Sequence, residues 1–93
     1  MKLPEDIVVE QMDAVRELVR GRTEQYDQGG VKLEDYWIFG NRSLVHEIYK
    51  KVLRIKSLVM QEKYEETQDS LQDIIAYCCF MLDYNKGKRL GRD

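Results

Sequence analysis

Two charged clusters in this 93-residue chain combine residue types and spacings suited to phosphate chemistry. Glu62, Glu65, Asp69 and Asp73 recur at steps of three and four, with Glu66 on their flank, so a helix would gather them on one face. Like charges at that spacing repel, which a solvated surface tolerates and a hard cation relieves. Two readings follow: a solvated acidic face near a helix N-terminus, or carboxylates holding Mg²⁺ against a phosphate. The second cluster, Glu47, Lys50, Lys51 and Arg54, shares the flank of another helix. It reads either as a polar face with internal ion pairs or as a phosphate clamp. In the clamp, Arg54 makes bidentate contacts and Lys51 acts as a point charge. His46 reads as a surface residue, with acid–base work as the lesser alternative.

Aromatic side chains are the third candidate group. Tyr26, Tyr36, Trp37 and Phe39 crowd a segment without sustained periodicity, punctuated by Gly29-Gly30 and Gly40-Asn41. They either cap a helical core or line a subunit contact. Alternatively, Trp37, Tyr36 or Tyr26 stacks on a base. Gly29-Gly30 alone is no phosphate-binding loop, no zinc signature is present, and no Ser or Cys nucleophile has an orienting base in view.

Three helices must position these groups. Pro4 opens the first, about 4–20, where Val8, Met12, Val15 and Val19 share a face and Gly21 is the expected stop. Ser43 is the expected N-cap of the second, about 44–61, with Leu44, Ile48, Val52, Ile55 and Val59 as its apolar stripe. The third, about 65–84, carries Leu71, Ile74, Ile75, Cys78 and Leu82 on one face, expected opposite its carboxylates. Gly87 suits a left-handed cap, and the basic tail from Lys88 is expected to fray. The loop between the first two helices is about 22–42.

The expected fold class is all-α: a three-helix subunit, residues 1–93 as a single domain, assembling into a helical-bundle oligomer. The segment Ala76–Leu82 is apolar on every side of its helix, and such a segment is buried on every side. Three helices of this length cannot cover it alone, so a second copy becomes the natural cover. A chain this short buries only about 60% of the surface it exposes unfolded, which points the same way.

A hydrophobic fraction of 43% beside a charged fraction of 34% excludes a disordered chain. A net charge of −2 provides no field toward duplex nucleic acid or an anionic membrane, so neither is an expected partner. The adjacent Cys78 and Cys79 are expected to be reduced and buried, as in an intracellular protein. The acidic start without an apolar run leads to the same expectation of a cytoplasmic protein, in the host cell if phage-encoded.

The stretch Lys51-Val-Leu-Arg54-Ile55-Lys-Ser-Leu58, followed by Glu66-Thr-Gln-Asp69-Ser70-Leu71-Gln72-Asp73-Ile74-Ile75-Ala76-Tyr77, resembles the nucleotide-modification-associated domain family found largely in phages. Arg22, Tyr26-Asp27, Asp35-Tyr36-Trp37 and Gly40 fit its loop pattern, so the resemblance spans about residues 22–84. That family is similar to the all-helical MazG-type nucleoside triphosphate pyrophosphohydrolases, oligomeric bundles that hold Mg²⁺ on carboxylates of two helices. The resemblance implies Mg²⁺ on Asp69, Asp73, Glu66 and Glu47. The chain departs from the pattern on its second helix, where Lys50, Lys51 and Arg54 follow Glu47 in place of paired glutamates. Cations there remove metal ligands and add phosphate partners.

The leading expectation is therefore an oligomer that binds a nucleotide, or a signal made from one, without turning it over. Its phosphates would sit on Lys50, Lys51 and Arg54, and its base on Trp37, Tyr36 or Tyr26. A counter-defence sponge for a nucleotide-derived immune signal is one form of this. The alternatives are a Mg²⁺-dependent pyrophosphohydrolase and a structural or protein-inhibiting oligomer.

Overall fold

The computed structural model describes residues 1–87, so the tail beginning at Lys88 lies outside the described residues. All regular structure among them is helical: α1 Pro4–Gln28, α2 Asn41–Met60 and α3 Gln68–Asn85, with 3-10 turns at Leu33–Tyr36 and Tyr64–Thr67. None of these helices is long and apolar enough to cross a membrane. The chain divides into two compact units, Met1–Leu33 and Glu34–Asp93.

The first unit is α1, which passes the expected stop at Gly21 and reaches Gln28. Ending a helix takes a residue in the left-handed region whose neighbours close the last turn. Gly21 lies within helical backbone and lacks that conformation, so it is an interior glycine costing about 1 kcal/mol relative to alanine. The end comes at Gly29-Gly30. Gly30 takes φ +74°, its N–H donates to the Asp27 carbonyl, and the Val31 N–H donates to that of Tyr26. Residues 22–28 are therefore helix, and the aromatic-rich loop is shorter than the sequence implied.

The second unit is built on the α2–α3 hairpin. Gly40 caps α2 at φ +60°, so the helix begins at Asn41 and Ser43 is its third residue. Ser43 still serves the helix start from inside, because its hydroxyl accepts the Phe39 N–H at 3.0 Å. The far end of α2 closes with paired reverse contacts. The Glu62 N–H donates to the Val59 carbonyl and the Lys63 N–H to that of Leu58. This closure forces Glu62 to φ +59°, a region that favours glycine. Glu62→Gly is expected to stabilise the protein by about 0.5–1 kcal/mol, read as a higher midpoint in urea with an unchanged slope.

Three pairings show α2 and α3 to be antiparallel and in register. The Asn41 amide donates to Asn85 Oδ1 at 2.6 Å. Gly40 lies against the Tyr84 ring, and Lys51 pairs with Asp73 at mid-height.

The faces that meet keep Leu44, Ile48 and Ile55 of the expected α2 stripe but not Leu71, Cys78 and Leu82 of the expected α3 stripe. On α2, Leu44, Ile48, Lys51, Ile55 and Leu58 turn inward, while Val52 and Val59 are exposed. On α3, Ser70, Asp73 and Ala76 are buried, as is Thr67 just before it, whereas Leu71 and Leu82 remain 48% and 63% exposed. The acidic face was expected opposite the Leu71–Cys78–Leu82 stripe and turned to solvent; its Asp73 instead faces α2. Serine and alanine let two helix backbones approach, and Lys51 neutralises the carboxylate that comes with them.

Candidate functional site

The centre of the hairpin is an ion pair. Lys51 Nζ lies 3.0 Å from Asp73 Oδ2, and Asp73 is only 5% exposed. Both side chains point inward because 44, 48, 51 and 55 fall on one side of α2, and 70, 73 and 77 on one side of α3. On the flank of α2, Lys50, the residue before Lys51, places Nζ 3.1 Å from Glu47 Oε1. Arg54, one turn beyond Lys51, is exposed and has no ion-pair partner among the described residues. The expected clamp of Lys50, Lys51 and Arg54 is therefore divided. Two of its cations are engaged with carboxylates, and the guanidinium faces solvent.

Of the expected metal ligands, Asp73 is held by Lys51 between the helices and Glu47 by Lys50 on the flank of α2. Glu66 lies in the 3-10 turn before α3, and Asp69 is exposed in its first turn. Among the described residues, no three or more His, Cys, Asp or Glu side chains gather closely enough to hold a metal ion.

Trp37 packs inside the second unit. Its ring lies 4.9 Å from Phe80, tilted by 39°, and meets the edge of Tyr77 at 6.3 Å. Tyr77 and Phe80 complete the cluster at 6.4 Å. Within the Ala76–Leu82 segment, expected to be buried on every side, Phe80 packs on the chain's own Trp37 and Tyr77, while Cys78 and Leu82 are exposed. Tyr36, in the 3-10 turn, presents an exposed ring. Tyr26 is half-buried near the C-terminal end of α1, in the first unit.

The cysteines are also redistributed. Cys78 is exposed and Cys79 half-buried, against the expectation that both are buried. Burial pushes the Cys79 thiol up, the neighbouring Cys78 adding to the effect, so Cys79 stays protonated at neutral pH. Residue types do not signal this exposure, because adjacent helix positions diverge by about 100° and apolar periodicity does not show which side faces inward.

The helix directions sort these groups by side. In an antiparallel pair, positions turned the same way from each helix's inward line fall on the same side of the hairpin. Val45, Tyr49 and Val52 of α2 therefore lie on one side of the hairpin, while Leu71, Cys78 and Leu82, nearly opposite Asp73 on α3, lie on the outer face of that helix. Glu47, Lys50 and Arg54 lie on the other side of the hairpin.

Fold and site together define an all-helical protein whose second unit is a helical hairpin with a charged centre, a basic flank on α2 and exposed apolar side chains on both helices. No protein-family model matches the chain, and no solved structure matches it. The chain is similar over 49 residues, at 43% identity, to the exodeoxyribonuclease 7 large subunit of Shewanella sediminis (strain HAW-EB3). That stretch is 53% of this chain and 11% of that protein, so the likeness is one of a segment.

Proposed function

We propose that the chain is a homo-oligomeric protein that binds a nucleotide, or a signal derived from one, through phosphate contacts on the basic flank of α2. The observation that carries this reading is Arg54. Its guanidinium stands exposed beside Lys50 and Lys51, with no ion-pair partner among the described residues to occupy its planar fork. Exposed Tyr36 supplies a ring for a base, and Trp37 contributes by whatever part of its ring Phe80 and Tyr77 leave uncovered. The resemblance of α2 and α3 to the phage nucleotide-modification-associated family implies the same class of ligand. Binding is favoured over hydrolysis because Lys51 already neutralises Asp73, the most buried carboxylate of the acidic set. In a phage, binding without turnover suits sequestration of an immune signal.

The test begins with mass spectrometry of nucleotides released from the purified protein on denaturation, followed by calorimetric titration with the species found, or with ATP. A charge-assisted hydrogen bond contributes roughly 1.5–3 kcal/mol, so Arg54→Ala is expected to weaken binding about tenfold to a hundredfold. Arg54→Lys recovers part of the loss, because the charge returns without the fork. An Arg54→Ala protein with unchanged assembly and melting temperature that binds as tightly as the parent would refute this site.

A further inference from the structure

A carboxylate stands among the cations of the α2 flank, and phosphate binding gives it no use. Between Asn41 and Met60 the chain carries Arg42, Lys50, Lys51, Arg54 and Lys56 against Glu47 alone. Glu47, Lys50 and Arg54 follow at steps of three and four, so one flank of the helix presents all three. The Glu47 side chain keeps 29% of its exposure, and its Oε1 lies 3.1 Å from Lys50 Nζ. The second carboxylate oxygen has no ion pair or hydrogen bond among the described residues. An ion pair at this spacing and exposure adds little to stability, so the fold does not require it.

Chemistry limits what Glu47 can receive. It repels the phosphates that Lys50 and Arg54 attract, and carboxylate and phosphate are both acceptors, so no hydrogen bond joins them. Its partners must be O–H or N–H donors. A nucleotide brings two kinds, the ribose hydroxyls and the N–H groups of the base. Position along α2 chooses between them. The helix begins beside Trp37, whose carbonyl accepts the Gly40 N–H at 2.9 Å. From that aromatic end the order along the axis is Glu47, then Lys50, then Arg54. At the rise of an α-helix, Glu47 precedes Lys50 by about 4.5 Å and Arg54 by about 10.5 Å. A nucleoside polyphosphate has a matching order of base, ribose and phosphates. With its base toward the aromatic end and its phosphates on Lys50 and Arg54, the ribose falls at Glu47. The 2′ and 3′ hydroxyls are adjacent donors, which suit the two oxygens of a carboxylate. Dinucleotide-binding folds likewise set an acidic side chain on a ribose hydroxyl beside a phosphate site.

We propose that Glu47 receives the ribose hydroxyls of the bound nucleotide and makes the flank selective for ribonucleotides over their 2′-deoxy counterparts. This deepens the nucleotide reading and rests on it. Lys50 has two tasks in the arrangement: it draws the phosphates, and it holds the Glu47 carboxylate in place beside them.

Calorimetric titration with the four ribonucleoside triphosphates and their 2′-deoxy counterparts tests it. For the base that binds best, wild-type protein should take the ribonucleotide about tenfold more tightly, the share of one hydrogen bond to a charged group at a partly exposed site. The ratio of the two affinities is the readout, because it cancels contacts that both ligands make. Glu47→Ala should bring the ratio near one, even if the freed Lys50 tightens both. Glu47→Gln should keep part of the preference, since its amide oxygen still accepts. Arg54→Ala should weaken both ligands alike and leave the ratio unchanged. Circular dichroism and melting confirm that each variant folds. Equal binding of the two sugars by wild type, or a full preference retained in Glu47→Ala, would overturn the role of Glu47 and leave the Arg54 site standing. Absence of binding to any member of the panel would refute the phosphate site on this flank, and this inference with it.

Discussion

Lys51→Ala is expected to lower stability by about 2–4 kcal/mol, the largest loss from any surface-reaching charge in the protein. Removing one partner of a buried ion pair costs about 3–5 kcal/mol, because the remaining charge keeps its desolvation penalty without compensation. The lower range applies because the Lys51 side chain keeps 29% of its exposure while that of Asp73 keeps 7%, so water partly screens the pair. The melting temperature should fall by roughly 10–25 °C, measured for both proteins at one concentration. Lys51→Met combined with Asp73→Leu should recover most of the loss, since two apolar groups of similar volume leave no charge unpaired. By contrast, Arg20→Ala breaks an exposed pair with Glu17 and should cost under about 0.5 kcal/mol. If Lys51→Ala melts within a few degrees of the parent, the Lys51–Asp73 pair does not hold the hairpin.

Gly40→Ala is expected to cost about 2–4 kcal/mol, for two separable reasons. Gly40 has φ +60° and ψ −125°, outside the left-handed well that other residues occasionally enter, and such strain costs on the order of 1–3 kcal/mol. A Cβ there would also lie 2.7 Å from the Tyr84 hydroxyl oxygen and 3.0 Å from Cζ, so the ring must move. The Tyr84 ring and the Asn41–Asn85 hydrogen bond close this end of the hairpin, which opens if the ring is displaced. Adding Tyr84→Ala to Gly40→Ala should remove the steric part and leave the backbone part, so the double variant falls short of the sum of the singles. Additive losses in urea unfolding would show that backbone strain alone makes Gly40 necessary.

Much of the local structure was legible in the residues themselves. The all-helical class follows from apolar residues returning every three to four positions and from the lone proline standing at a helix start, where its missing N–H is harmless. Gly87, at φ +79°, closes α3 as its residue type implies. Lys51 could be singled out because it stands beside an apolar stripe, and Asp73 because it recurs with Glu62, Glu65 and Asp69 at helical spacing. Helix ends were less legible. Gly21 and Ser43 have the residue types of a stop and a cap, but their roles depend on whether neighbouring turns continue.

Only the tertiary structure decided which way each helix faces. Periodicity shows that a helix has an apolar side, but this chain has two sides able to bury something. The stripe through Val52 and Val59 and the line through Lys51 and Leu58 lie about 100° apart on α2, a single residue step. Choosing the more apolar stripe put Val52 inside and Lys51 at its flank; the structure reverses them. The reason is pairwise: small Ser70 and Ala76 permit close helix approach, and Lys51 and Asp73 offset each other's desolvation only when they meet. Neither helix carries that information alone, because a charge is costly or tolerable inside a protein according to what stands opposite it.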